Sequence, residues 1–191
     1  MIKTAKSEYV FASKSLGHGS TGSVVSGYDV RNNSAVAVKI IDTSTEDSAA
    51  TFFREGRIIR KFLSTSHLCE FLDAHVEGET GYFVMKQYEY DLFTVAFEKK
   101  TIFTESAIRK VFMDICLGLK SLHDAGIAHM DLKPENILLD INNTACIGDF
   151  GSSIYEPKHS TLSISNGSSC VVDDLGRRGT VQYYSPEILD G

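Results

Sequence analysis

The feature that most restricts the fold is a glycine-rich string, GHGSTGSV at residues 17–24, which has the spacing GxGxxGxV. Glycine lets a backbone approach phosphate oxygens closely, with its amide groups directed at the anion. A dinucleotide-binding fold offers a similar string, but there the glycines open a helix. Here they lie between strands predicted at 9–16 and 23–28. The pattern therefore favours a β-hairpin that covers phosphates.

A third strand, predicted at residues 35–41, contains the sequence VAVK, which places Lys39 in an apolar run. A helix predicted at 48–63 follows, and on it Glu55 shares a face with Phe52 and Ile59. Lys39 could simply extend to the surface along the strand, and Glu55 could lie at the edge of the apolar stripe. A charge directed at the core needs a partner, so a buried Lys39–Glu55 ion pair is the alternative.

The rest of the chain divides into strand-rich and helix-led parts. A hairpin is predicted from strands at 72–76 and 81–85, followed by a linker at 86–90. A small helix is predicted at 91–99. The clearest helix is predicted at 104–125, because apolar residues recur along one face of it. Two lobes joined near the linker are the expected organisation.

The most specific segment is HMDLKPEN at residues 129–136, which follows the long predicted helix. It places a carboxylate (Asp131), a cation (Lys133) and an amide (Asn136) within six residues. The string DFG then adds a second carboxylate, Asp149, followed by a flexible glycine. Transfer of a phosphoryl group needs such groups, which position the acceptor, bind a metal and disperse negative charge.

The ordered set GxGxxGxV, VAVK, HxDLKPEN, DFG and SPE resembles the eukaryotic protein kinases of serine/threonine type, over nearly the whole chain. The resemblance implies an α+β, two-lobe protein-kinase-like fold. Residues 1–85 would form an N-lobe with an antiparallel β-sheet and one helix, and residues 86–90 the hinge. Residues 91–191 would form a mainly helical C-lobe. That lobe is expected to be incomplete, since family domains continue with further helices beyond the SPE motif.

The resemblance also implies roles for individual residues. Asp131 would be the catalytic base, and Asn136 and Asp149 would bind Mg²⁺. The other expected catalytic residues are Lys133, Lys39, Glu55 and Thr180. The expected ATP-binding residues are Gly17, His18, Gly19, Gly22, Val24, Ala37, Lys39, Met85, Lys86, Tyr88, Asp91 and Leu138. The expected apolar spine between the lobes consists of Ile59, Leu72, His129 and Phe150. For Asp91, a carboxylate at the start of a helix is an equally good interpretation.

Two departures from the family pattern bear on activity. Met130 stands where the family usually has an arginine that grips a phosphorylated activation-loop residue. The hypothesis that follows is activity without activation-loop phosphorylation. The chain also ends at Gly191, soon after the SPE motif, so marginal stability and low turnover are expected of it. The alternative function is an ATP-binding, pseudokinase-like module that binds partners. Pseudokinases have usually lost the lysine, the catalytic base or the metal ligands. This sequence retains Lys39, Asp131 and both metal-binding candidates, which argues against that alternative.

Bulk properties narrow the partners. The net charge of −6 argues against nucleic acid as the main partner. No stretch is apolar enough for a signal peptide or membrane helix, so no membrane partner is expected. Four cysteines without a CxxC pair indicate reduced thiols and an intracellular protein, cytoplasmic or nuclear. The expected partners are ATP and a protein substrate with a serine or threonine acceptor.

Overall fold

The computed structural model describes residues 1–19, 22–62, 65–155 and 179–189. Its first part is one antiparallel sheet of six strands. These are β1 (Ile2–Lys3), β2 (Glu8–Gly19), β3 (Gly22–Asp29), β4 (Ser34–Asp42), β5 (Phe71–Glu77) and β6 (Thr80–Lys86). Across the sheet their order is β1-β2-β3-β4-β6-β5. The sheet contains the three strands predicted before the first helix and the hairpin predicted after it.

The glycine-rich string lies in the turn between β2 and β3, as predicted. Gly19 pairs with Gly22 at the end of the ladder, and Val24 pairs with Lys39 on β4. A Cβ atom at Gly22 would lie 2.2 Å from the backbone oxygen of Ile40. Only glycine allows so close an approach, so Gly22 is required by the sheet itself as well as by the turn.

Helix α1 (Glu46–Ile59) packs on this sheet and begins with a capping box, in which the Thr45 hydroxyl accepts a hydrogen bond from the Ser48 amide. The helix was predicted at 48–63; it begins two residues earlier and ends four residues earlier, because residues 60–62 are not helical. Phe52 stacks on Phe83 of β6 with ring centroids 4.3 Å apart. This contact fixes α1 against the sheet.

One residue of the expected apolar spine is wrong. Leu72 packs against a cluster formed mainly by β2, β4 and β6, whereas its neighbour Phe71 packs against the main core with Phe83. Successive side chains of a strand point to opposite faces, so an error of one residue places the wrong side chain in the core.

The remaining elements form the helix-led part. They are β7 (Tyr90–Asp91), a π-helical turn (Thr94–Glu98), α2 (Glu105–Asp124), β8 (Ile127–Ala128), a 3-10 turn (Pro134–Asn136), β9 (Ile137–Leu139), β10 (Ala145–Ile147), β11 (Ile154–Tyr155), a 3-10 turn (Val181–Tyr183) and α3 (Pro186–Leu189). The small helix predicted at 91–99 is present at residues 92–98, π-helical over Thr94–Glu98, whereas Asp91 lies in β7. In the described residues, no helix combines the length and apolar character needed to cross a bilayer.

Helix α2 matches its prediction, with Thr104 as the N-cap residue. Its apolar face is only half covered. Val111 and Leu122 are buried in the main core, whereas Ile108 and Phe112 are exposed. The main core runs from α1 and β6 through β9 and β10 to α2, so the sheet and the helix-led part share it. The α+β class with an antiparallel sheet and one helix is confirmed.

Candidate active site

Lys39 lies at the centre of a buried triad. Its Nζ atom is 2.8 Å from Glu55 Oε1 and 2.8 Å from Asp149 Oδ1. The side chains of Lys39 and Glu55 are only 6% and 3% exposed, while that of Asp149 is 37% exposed. Of the two alternatives for Lys39 and Glu55, the buried ion pair is therefore correct, and the strand residue contacts the helix residue directly.

The charges of this triad depend on one another. Burial disfavours the ammonium form of Lys39, but the carboxylates of Glu55 and Asp149 outweigh it and raise the pKa of Lys39. Burial likewise opposes the charged form of Asp149, but Lys39 lowers the pKa of that carboxyl below its usual value. Burial outweighs Lys39 at Glu55 and raises the pKa of that carboxyl. When both carboxylates and the ammonium group are ionised, the triad carries a net charge of −1, and the charge of Asp149 favours a further cation beside it.

Asp131, Lys133 and Thr180 form a second cluster. The Thr180 hydroxyl donates to Asp131 Oδ1 at 2.7 Å, and Lys133 Nζ donates to Thr180 Oγ1 at 2.7 Å. Lys133 Nζ also lies 3.1 Å from Asp131 Oδ2. The carboxylate of Asp131 is thus held by the nearby cation Lys133 and by the hydroxyl of Thr180, which lies 49 residues away in sequence.

Gly179 allows this cluster to close. Its φ angle is +96°, and a Cβ atom there would lie 2.2 Å from the backbone oxygen of Met130. Met130 itself has a φ angle of +66°. A side chain at residue 179 would force apart the backbones of residues 179 and 130, and this would displace the neighbouring Asp131. The sequence marked Thr180 as functional, but it gave no signal for the packing role of Gly179.

His129 braces the loop that carries Asp131. Its Nε2 atom is 2.9 Å from the Gly148 oxygen, and its Nδ1 atom accepts the Asp131 amide at 3.3 Å. These two bonds assign a neutral ring with the proton on Nε2. Burial lowers the pKa of His129, which keeps the ring in that neutral form. Its ring also packs edge-on against Phe150, with centroids 5.6 Å apart, as expected for the spine.

Two oxygen atoms have the character of metal ligands. Asn136 Nδ2 donates to the Asp131 backbone oxygen at 2.8 Å, which leaves Asn136 Oδ1 as the ligand atom. Asp149 Oδ1 accepts from Lys39, which leaves its Oδ2 atom. The Gly148 amide donates to the Asn136 backbone oxygen at 2.8 Å, so the segments carrying the two side chains are joined. Amide and carboxylate oxygens are hard donors that suit Mg²⁺.

The apolar candidates for adenine binding come from two sheets: Val24, Ala37 and Met85 from the six-stranded sheet, and Leu138 from a three-stranded sheet in the order β10-β9-β7. Ala37 pairs with Met85 across β4 and β6, and Leu138 pairs with Asp91 across β9 and β7. Val24 lies on β3 opposite Lys39. The glycines Gly17, Gly19 and Gly22 lie at the tip of the same sheet, whereas the side chain of His18 lies outside the described part of the chain.

The linker residues behave in different ways. The Tyr88 hydroxyl accepts a hydrogen bond from the Glu70 amide at 3.1 Å, so this side chain braces the back of the linker. The Lys86 amide donates to the Glu70 oxygen at 3.0 Å. Both carboxylate oxygens of Asp91 accept bonds from Thr94, at 2.8 and 2.7 Å. These bonds agree with the alternative interpretation of Asp91 as a carboxylate at the start of a helix. The bond between Tyr88 and Glu70 was not indicated by any pattern in the sequence.

The geometry agrees with a comparison against protein families, in which the protein kinase domain matches residues 11–191. The chain belongs to the protein kinase family. The match covers the sheet, the linker and the helix-led part, so the resemblance drawn from the five motifs is confirmed.

Individual relatives of this kinase domain are kinases by name, and the first two below are named serine/threonine-protein kinases. It is 30% identical to the serine/threonine-protein kinase grp of Drosophila melanogaster over 176 residues, 92% of the chain. It is 31% identical to the MAP kinase-interacting serine/threonine-protein kinase mnk-1 of Caenorhabditis elegans over 95% of the chain. It is 33% identical to the human hormonally up-regulated neu tumor-associated kinase over 76%. The matches cover 33%, 26% and 21% of those proteins.

Proposed function

We propose that this kinase domain transfers the γ-phosphoryl group of Mg²⁺-bound ATP to serine or threonine hydroxyls of a protein substrate. The observation that carries the proposal is the convergence of Lys39, Asp131, Asn136 and Asp149. Lys39 contacts Asp149 at 2.8 Å, and Asn136 Nδ2 lies 3.3 Å from Asp131 Oδ2. Phosphoryl transfer depends on positioning and charge stabilisation, and these four side chains supply both.

The nucleotide is held by the sheet and the linker. The glycine-rich hairpin covers the phosphates, and Lys39, fixed by Glu55, contacts the α- and β-phosphates. Val24, Ala37 and Leu138 enclose adenine, whose edge bonds to the backbone of the linker at Lys86 to Tyr88. The side chain of Tyr88 stabilises that backbone from behind. The Asp91 carboxylate accepts two hydrogen bonds from Thr94, so Asp91 contacts the ribose only if it gives up those bonds.

The acceptor hydroxyl is oriented by Asp131. Its carboxylate is fixed on one side by Thr180 and on the other by Lys133. Asp131 accepts the hydroxyl proton as transfer proceeds, and Lys133 offsets negative charge on the phosphoryl oxygens. Bound Mg²⁺ neutralises charge on the phosphates, and Asn136 Oδ1 and Asp149 Oδ2 are the ligand atoms that this chain provides for it.

The same proposal assigns regions, location and control. Residues 1–85 form the N-lobe, 86–90 the hinge and 91–191 the C-lobe, in an intracellular protein. Since Met130 replaces the arginine that would grip a phosphate, transfer does not require activation-loop phosphorylation. Residues 156–178, between the DFG motif and Thr180, lie outside the described part of the chain.

Radiolabelled ATP with a general protein substrate tests the function, beside titration with a fluorescent ATP analogue. We expect Asp131→Ala to lower the transfer rate about 10²- to 10⁴-fold while the analogue still binds. Asp47→Ala is the matched control, because Asp47 is an exposed aspartate on the first turn of α1. Equal rates for wild type and Asp131→Ala would contradict the proposal. Analogue binding by a wild-type chain that transfers nothing would favour the pseudokinase alternative.

A further inference from the structure

The linker that is expected to bind adenine is held from two sides. On one side lies Glu70, whose oxygen accepts the Lys86 amide at 3.0 Å and whose amide donates to the Tyr88 hydroxyl at 3.1 Å. On the other side lies β3, where the Ser26 hydroxyl donates to Gln87 Oε1 at 2.8 Å. The sheet order β3-β4-β6-β5 places these two contacts on opposite sides of β6, the strand that leads into the linker.

The bond between Ser26 and Gln87 joins parts of the chain that are 61 residues apart in sequence. It also spans β4, which lies between β3 and β6. Both side chains are half-buried, where water competes less for a hydrogen bond than it does at an open surface. A hydroxyl both donates and accepts, so Ser26 can bond to either end of the Gln87 amide.

Ser26 belongs to a row of side chains that carries candidates for adenine binding. It pairs with Ala37 across β3 and β4, and Ala37 pairs with Met85 across β4 and β6. Directly paired residues of a sheet lie on the same face. Val24 shares that face, because it lies two residues before Ser26 on β3. Val24, Ala37 and Met85 were all expected to contact adenine, whereas no motif indicated Ser26.

The backbone of the linker remains free to bind a ligand beside this bond. Among the described residues, none forms a hydrogen bond with the backbone amide or oxygen of Gln87 or Tyr88. The next amide, that of Glu89, donates to the Leu139 oxygen at 3.1 Å and so joins the linker to the helix-led part. Free backbone groups bind a ligand well only if they are held in place, because a hydrogen bond weakens steeply when its geometry is poor.

We propose that Ser26 and Gln87 are positioning residues for the adenine ring of ATP. Their bond holds the linker backbone at a fixed distance from β3, so that the free groups of Gln87 and Tyr88 meet the edge of adenine. The two side chains act through the linker and take no part in phosphoryl transfer. This inference rests on the proposed function, since it requires that the cleft binds ATP, and it deepens that function by assigning a control of adenine affinity.

Competition against the fluorescent ATP analogue tests the proposal with adenosine and inorganic tripolyphosphate as probes. Adenosine carries the part of ATP that meets the linker, whereas tripolyphosphate carries the part that meets the glycine-rich hairpin and Lys39. We expect Ser26→Ala to weaken adenosine binding about threefold to tenfold, which corresponds to the loss of one hydrogen bond. Tripolyphosphate binding should not change. In the transfer assay, KM for ATP should rise by the same factor while kcat stays constant.

Matched variants separate positioning from folding. Ser26→Thr keeps the hydroxyl and suits a strand, so it should bind adenosine as the wild-type chain does. Gln87→Leu removes the bond from the linker side and should weaken adenosine binding as Ser26→Ala does. Since both changes remove one and the same bond, the double variant should lose no more affinity than either single variant.

Ser34→Ala is the control, because Ser34 is the exposed first residue of β4. It should leave the affinity for both probes unchanged. Circular dichroism checks that each variant is folded.

Three results would overturn the proposal. The first is a folded Ser26→Ala variant with the adenosine affinity of the wild-type chain. The second is an equal loss of tripolyphosphate affinity, which would assign the bond to the glycine-rich hairpin rather than to the linker. The third is additive losses in the double variant, which would show that Ser26 and Gln87 act separately.

Failure of the proposed function gives a different result. A wild-type chain that binds neither adenosine nor the ATP analogue would contradict both the proposed function and this inference. A wild-type chain that binds both, beside a Ser26→Ala variant that binds them equally well, would overturn this inference alone.

Discussion

Among single residues, Lys39 shows how a charge is tolerated in the core. Its side chain is 6% exposed, yet it lies between two carboxylates at hydrogen-bond distance. A buried ion pair gains little over apolar packing, but removal of one partner leaves the other charge buried without compensation. Removal of Lys39 would therefore destabilise the fold locally, apart from the role in ATP binding that we propose for it.

Lys39→Met should destabilise the chain as well as impair transfer. We expect a loss of about 3–5 kcal/mol in the free energy of unfolding, because Glu55 is left buried without its cation. Urea unfolding measured by circular dichroism gives this value. Lys120→Met is the matched control, since Lys120 pairs with Asp124 at the surface, and it should change stability by less than about 1 kcal/mol. Similar midpoints for both variants would contradict the burial argument.

At the scale of elements, the helices were predicted best where local chemistry marks their ends. Helix α2 begins after Thr104 and ends at Asp124, close to the predicted 104–125. Helix α1 begins earlier than predicted, since its capping box is formed by Thr45 and Ser48. Strand β5 was predicted at 72–76 and forms at Phe71–Glu77. The omitted Phe71, rather than Leu72, packs on the main core, because neighbouring side chains of a strand point to opposite faces.

The N-cap of α2 offers a test at this scale. Thr104→Ala removes the hydroxyl that accepts the Ala107 amide at 3.3 Å. We expect a loss of about 1 kcal/mol in stability, the usual cost of an N-cap. Thr101→Ala serves as the control, because Thr101 is exposed and precedes the helix. Thermal unfolding of both variants provides the measurement, and equal melting temperatures would show that the cap is dispensable.

For the molecule as a whole, His129 lies at a junction. It bonds to Gly148 next to Asp149, packs on Phe150, and accepts the amide of Asp131. The segments that carry Asp131 and Asp149 thus meet at one buried neutral ring. Protonation would remove the acceptor atom and place a charge in the core, so the neutral state of His129 is tied to the folded state.

Stability should consequently fall as the solution is acidified. The pKa of His129 is lowered from its ordinary 6.5 in the folded state, so below about pH 6.5 the unfolded chain binds the additional proton. The free energy of unfolding then decreases until the folded pKa is passed. Urea titrations between pH 8 and pH 5 measure this decrease.

His123 provides the comparison for that experiment, because it is exposed near the end of α2. His123→Gln should leave the decrease unchanged. The loss associated with Asp149 belongs to a separate window: its pKa is lowered from 3.8, so that contribution disappears only as pH falls below about 3.8. Constant stability from pH 8 to pH 5 would contradict the role given to His129.

The sequence by itself determined the family and the order of the main strands and helices, and it predicted the site residues, because glycine spacing, apolar periodicity and motif order are local properties of the chain. It did not decide which way side chains face or what they meet. Only the tertiary structure showed that Lys39 is buried and that Gly179 packs against the Met130 backbone. It also showed that the Tyr88 hydroxyl bonds to Glu70 and that Phe71, rather than Leu72, packs on the main core. These outcomes depend on contacts between residues far apart in sequence, which packing selects and local pattern does not encode.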